Sequence, residues 1–128
     1  MASAALTRRE ALMSDGFDVQ GFARDIHELL VLAALRDDAK HGYQIALDVE
    51  TESNGQFTFR HGTLYPILHR LEGEGLIQGS WSTAGGRRRK VYALTRAGRG
   101  HLDGRTDHVQ RIVSGLMELL RGPGQAPA

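Results

Sequence analysis

Leu64, Ile67, Leu68 and Leu71 recur at i, i+3, i+4 and i+7 in the run His61-Gly62-Thr63-Leu64-Tyr65-Pro66-Ile67-Leu68-His69-Arg70-Leu71-Glu72. That spacing draws one apolar stripe along an α-helix and commits the stripe to a core. Thr63, Tyr65, Pro66, His69 and Arg70 then fall on other faces, so the exposed side of the same helix carries hydrogen-bonding groups. Thr63 suits an N-cap, a start that leaves Pro66 in the first turn, where its missing N–H costs little. A start nearer Arg60 costs one backbone hydrogen bond. Gly73 and Gly75 around Glu74 end the helix and turn the chain into Leu76-Ile77.

A hairpin follows. Ile77 and Trp81 alternate onto one face of a first strand, Tyr92 and Leu94 onto one face of a second, and Ser82-Thr83-Ala84-Gly85-Gly86 supplies the turn. Arg87, Arg88, Arg89 and Lys90 open the return strand as four consecutive cations. Such a run is either solvated charge that keeps an exposed edge from pairing, or a seat for phosphates or a minor groove. Its place one hairpin beyond a helix with a polar outer face favours nucleic acid.

The charge distribution points the same way. Residues 54 to 105 hold nine Lys and Arg against three Asp and Glu, whereas residues 1 to 53 hold five against ten and residues 106 to 128 two against two. The net charge of +1 conceals this polarity, and the basic segment is the one with the helix and the hairpin. With 128 residues the chain is long enough for one core. No apolar run reaches the roughly 18 to 20 residues of a membrane span, and the N-terminus lacks the pattern of a signal peptide. The absence of cysteine excludes disulfides and Cys-based zinc sites and is compatible with a reducing cytoplasm, the expected location.

Elsewhere the chain reads as helices. Residues 1 to 20 form an N-terminal extension in which Thr7-Arg8-Arg9-Glu10 has the capping-box form, so it is either a short helix or a disordered arm. Phe22 to Arg36 reads as a core helix ended by Asp37-Asp38, and a second helix runs from about Gly42 to Glu52. Phe57-Thr58-Phe59 alternates as a small anchoring strand would. Thr95 suits the N-cap of a last helix over 96–121, before Gly122-Pro123-Gly124 opens a flexible tail over 122–128. Leu102, Val109, Val113, Leu116 and Leu120 keep a seven-residue rhythm, broken at Thr106, that fits a seam with a partner helix. Gly104 and Gly115 weaken that helix by roughly 1 kcal/mol each relative to Ala, and either permit close approach or leave it labile.

Taken together, Leu29-Leu30-Val31-Leu32, His41-Gly42-Tyr43, Gly62-Thr63-Leu64-Tyr65-Pro66, Leu68-His69-Arg70-Leu71-Glu72, Gly75-Leu76-Ile77, Trp81, Gly85-Gly86-Arg87-Arg88-Arg89-Lys90 and Tyr92-Ala93-Leu94-Thr95 with Gly98 resemble the PadR family of bacterial and archaeal winged-helix transcriptional regulators. The resemblance covers Phe22 to Leu102 and departs at Val91, where family members usually carry an aromatic. It implies a mainly α (α+β) fold, a winged helix-turn-helix over 21–95 with a single C-terminal dimerisation helix. It implies also a homodimeric repressor on a pseudo-palindromic double-stranded DNA operator, often near its own promoter, released by a small-molecule effector or another signal. On that reading Thr63, Tyr65, Pro66, His69 and Arg70 enter the major groove, Gly62 with Thr63 brings backbone N–H groups close to a phosphate, and Arg87, Arg88, Arg89 and Lys90 hold the backbone or minor groove. Some relatives sandwich flat aromatic drugs between tryptophans of the last helix. Here that region reads Asp107-His108-Val109-Gln110 and Trp81 is the sole tryptophan, so that ligand mode is not carried over.

Two other classes fit less well. Histidines at 27, 41, 61, 69, 101 and 108 form no HExxH or tight ligand constellation, so neither catalysis, a metal site nor a cofactor is expected. A winged helix serving as a protein-interaction module is the alternative function, and the basic wing argues against it.

Overall fold

The computed structural model describes residues 18–124. The N-terminal extension over 1–17, with its capping box, and the last four residues of the tail lie outside the described residues. The elements are α1 (Val19–Ala34), β1 (Lys40–His41), α2 (Gly42–Glu52), α3 (His61–Gly73), β2 (Ile77–Ser82), β3 (Arg89–Leu94) and α4 (Arg96–Arg121). The strands form one antiparallel sheet in the order β1-β3-β2.

Each helix begins where a side chain or turn can take up its first N–H groups. Asp18 accepts from the Gln20 N–H at 3.2 Å to start α1, and His41 Nδ1 accepts from the Gln44 N–H at 3.3 Å to start α2. Thr95 Oγ1 accepts from the Gly98 N–H at 3.0 Å to start α4. The core gathers Val31, Leu32 and Leu35 from α1 and the bend after it, Ile45 and Val49 from α2, the full α3 stripe, Ile77, Tyr92 and Leu102.

Three details differ from the expectations set by spacing. α3 starts at His61 with Arg60 at the N-cap, so Thr63 is its third residue and not the cap. Pro66 consequently lies inside the helix, and the Gly62 carbonyl has no N–H to accept from four residues on. The apolar stripe fixes the roll of the helix, and that register outweighs the one missing bond. Phe57-Thr58-Phe59 is not a strand. The edge of β3 is taken by Lys40–His41, with His41 opposite Val91. A turn in which Ser53 Oγ accepts from the Phe57 N–H at 3.0 Å leads Phe59 to plug the core beside the His27 ring.

The third correction concerns Leu102. It is buried to 2% exposure in the chain's own core, so it cannot serve a seam with a partner helix. The first turns of α4 lie across α1, tied there by the Arg105–Asp25 ion pair and by Arg99 donating to the Arg36 carbonyl at 2.8 Å. Val109 is half-buried beside α1, whereas Val113, Leu116 and Leu120 are exposed.

The junction of α3, β2 and α4 is sewn by one residue. Thr95 Oγ1 donates to the Gly75 carbonyl at 2.7 Å while capping α4, and the Thr95 N–H donates to the Leu76 carbonyl at 3.1 Å. Gly98 sits so close to the Leu76 carbonyl that a β-carbon there would collide with backbone. Gly98→Ala should therefore destabilise the fold by about 1–3 kcal/mol, as forced overpacking does. Urea unfolding should show a lowered midpoint, whereas Gly100→Ala, where a β-carbon meets open space, should leave it unchanged or raised.

Candidate nucleic-acid interface

Burial of Leu64, Ile67, Leu68 and Leu71 turns the opposite face of α3 outward. Gly62, Thr63, Tyr65, Pro66, His69 and Arg70 are all exposed there. A β-carbon added at Gly62 meets open space, so the first turn leaves room for another molecule to approach its backbone. Tyr65 packs over Gly42, where a β-carbon would come within 2.9 Å of the phenol oxygen. This close approach explains the glycine of the His41-Gly42-Tyr43 string, which the sequence alone marks only as a helix start.

The wing stands beside this face. Trp81 pairs with Lys90 and Ser82 with Arg89 across the hairpin, and the tip turns through Gly85 and Gly86 at φ +79° and +80°, a backbone that favours glycine. Trp81 falls on the Ile77 face as expected, yet Ile77 is buried and Trp81 is 59% exposed because the strands outrun the core. The Arg88 guanidinium covers the indole at 4.4 Å. Between the wing, the start of α2 and Tyr65 lies an open cleft of about 530 Å³. Its walls hold Arg87 to Lys90 together with His41, Tyr43, Tyr65, Trp81 and Tyr92.

The cations divide into two sets. Arg70 donates to Glu28 of α1 at 2.6 Å, and Lys90 donates to Glu72 of α3 at 2.9 Å. Glu72 also accepts from the Gly79 N–H at 3.2 Å, so one carboxylate ties both wing strands to the end of α3. The hydrogen bond from Lys90 holds the Glu72 carboxyl below the ordinary carboxylate range, and the same bond raises the Lys90 ammonium. Lys90, expected with Arg87 to Arg89 on the backbone or minor groove, is engaged by Glu72 in the free protein. Arg87 has no partner among the described residues, and Arg88 lies on an indole.

Arg89 belongs with the available cations. Its Nη1 lies 3.0 Å from His41 Nε2, but His41 Nδ1 already accepts from Gln44. A neutral imidazole that accepts at Nδ1 carries its proton on Nε2. The Arg89 guanidinium can only donate, so the two contacts call for opposite tautomers of His41, and neither brings a carboxylate that would neutralise the Arg89 charge.

The sequence matches the transcriptional regulator PadR-like family over residues 31–104, more than half of the chain. The protein belongs to the PadR family. Its PadR relatives include the transcriptional regulator Rv3488 of Mycobacterium tuberculosis, 37% identical over 81 residues that span 63% of this chain and 73% of that one. The regulator YqjI of Escherichia coli is 31% identical over 84 residues, and there the match spans only 39% of the relative. Among solved structures, a PadR-family regulator from Clostridium difficile superposes with a TM-score of 0.64 at 30% identity, covering 75% of this chain and 98% of that one. Bacillus subtilis PadR, solved in complex with operator DNA, superposes with a TM-score of 0.58 at 27% identity, over 63% of this chain and 46% of that one. Among the described residues, four helices and a three-stranded antiparallel sheet with a protruding β2–β3 wing make up the PadR winged-helix architecture. Among the described residues no group of three or more His, Asp or Glu side chains is placed to hold a metal ion, and no helix is long and apolar enough to cross a membrane.

Glu72→Gln should remove the clasp on the wing without touching the exposed face of α3. Because the folded-state Glu72 carboxyl is depressed by Lys90, its stabilising effect is present above the ordinary carboxylate range and is lost as pH falls through the lower folded value. Thermal melts should show wild type above the variant at neutral pH and the two converging in acid. A gap that persists in strong acid would refute the clasp.

Proposed function

We propose that this PadR-family chain is a sequence-specific DNA-binding repressor acting as a homodimer on a pseudo-palindromic operator, in the compartment that holds the DNA. The observation that carries this reading is the polar outer face of α3 set beside a wing whose Arg87, Arg88 and Arg89 lack carboxylate partners among the described residues. An α-helix fits the major groove, and a two-stranded ribbon beside it reaches the backbone or the minor groove. Gly62 and Thr63 bring the helix start to phosphate, while Tyr65, Pro66 and His69 face base edges. Arg70 is held to Glu28, whose side chain is only 15% exposed, and reaches DNA by exchanging that pair for phosphate or a base edge.

Assembly is read from α4. Its 26 residues extend about 39 Å, and the part beside α1 runs to about Val109, with Val113 at the rim of the same groove. Beyond it Val113, Leu116, Leu119 and Leu120 are exposed at 45%, 50%, 78% and 69%, an apolar stretch that water disfavours. A second copy covers it in the proposed dimer and sets the distance between two reading heads. Release by an effector then requires a ligand with different affinity for two head spacings.

Two experiments test this reading. Replacing Arg87, Arg88 and Arg89 by Gln should weaken binding to any duplex and flatten the dependence of log K on log salt by about 0.9 for each phosphate no longer neutralised. An unchanged slope would remove the wing from the interface. Leu116→Asp with Leu120→Asp should give a monomer by light scattering with its operator affinity largely abolished. A double variant that remains a tight dimer would place the assembly surface elsewhere.

A further inference from the structure

The cleft under the wing contains two large rings that the fold does not need. Tyr43 is 62% exposed and Trp81 59% exposed, while the core is completed by other residues. Neither ring hangs loose. Tyr43 stacks nearly parallel to His41, with centroids 6.4 Å apart and planes 17° apart, and Trp81 is covered by Arg88. They stand as fixed plates on the two sides of the cleft, one on the start of α2 and one on the wing. Arg87 and Arg89 lie in the same walls.

Two exposed ring faces beside arginines that lack carboxylate partners among the described residues match a particular chemistry. The strand of a duplex alternates a deoxyribose ring with a phosphate, and protein contacts to it come from Tyr hydroxyls, Arg side chains and helix starts. The volume of about 530 Å³ is within the roughly 300–1,000 Å³ of sites that take a molecule the size of a nucleotide. Tyr65 of α3 lines the cleft too, so a strand bordering a groove occupied by α3 passes its mouth.

We propose that this cleft seats one sugar–phosphate strand of duplex DNA, with Tyr43 and Trp81 packed on deoxyribose and Arg87 to Arg89 on the adjoining phosphates. The proposal rests on the DNA-binding reading above and adds Tyr43 and Trp81 as contact residues. Because a backbone has no sequence, this seat works on any duplex, and recognition is left to α3.

Trp81 is the only tryptophan in the chain, so its fluorescence reports on the cleft without a label. The full chain is titrated at low salt with a short random-sequence duplex, binding being followed in parallel by anisotropy of dye-labelled duplex. The expected result is a change in Trp81 emission that saturates with the anisotropy curve. Tyr43→Ala should weaken this binding by roughly fivefold, the loss of one packed ring, with the salt slope unchanged because no charge is removed. Duplex binding with a silent Trp81, or with Tyr43→Ala at wild-type affinity, overturns the seat and leaves the DNA-binding reading standing. No binding to duplex at all overturns both. Adenosine monophosphate should neither change Trp81 emission nor displace the duplex; if it does both, the cleft is a small-molecule site and the proposal fails.

Discussion

The roll of α3 about its own axis is the constraint on which the rest of the molecule depends. Leu64, Ile67, Leu68 and Leu71 are each between 0% and 6% exposed, locked against α1, α2 and the base of the sheet. Rotating the helix by one residue would bury Tyr65 or His69 and expose a leucine, a loss of roughly 1.5–3 kcal/mol for each large apolar side chain returned to water. The outward set of polar side chains is therefore dictated from the inside. Even the missing hydrogen bond at Pro66 is tolerated because the stripe cannot shift to avoid it.

The second level of organisation is how charge is distributed once the core is fixed. Acidic side chains from α1 and α3 take up Arg70, Lys90 and Arg105, and each of these pairs orients an element against its neighbour. Partly exposed pairs of this kind add modestly to stability, and their main effect is directional. Glu72 shows this most clearly, since a single carboxylate engages the Gly79 N–H on one wing strand and Lys90 on the other. What remains outside this set, at the wing tip, is a cluster of three arginines with no carboxylate partner among the described residues.

How much of this is legible in the sequence depends on the range of the interaction concerned. The α3 stripe, the hairpin turn at Gly85-Gly86 and the Thr95 cap are local patterns, and they are present where the spacing puts them. Spacing favours Thr63 as the cap because it is a better cap than Arg60 in isolation, and the structure takes the alternative start at Arg60 with its one missing backbone bond at Pro66. Phe57-Thr58-Phe59 alternates like a strand, yet strand formation needs an open partner edge and Lys40–His41 occupies it. Leu102 carries the same heptad signal as Leu116, and only the crossing of α4 over α1 separates a core residue from an exposed one. The roles of Lys90 and Arg70 are hidden for the same reason, since Glu72 and Glu28 lie 18 and 42 residues away in sequence. Tyr43 and Trp81 stand among the strings that carry the family resemblance, but no local spacing brings the two rings to one cleft.

The central claim is a division of labour: the face of α3 selects sequence and the wing supplies sequence-independent grip. Selection of bound duplexes from a random pool, followed by sequencing, tests it most directly. Wild type should recover two inverted half-sites at a fixed spacing of about 10 base pairs or a multiple. His69→Ala should shift the recovered half-site, whereas replacing Arg87 to Arg89 by Gln should recover the wild-type half-site in lower yield. No enriched sequence, or a half-site that follows the wing and ignores α3, would contradict the account.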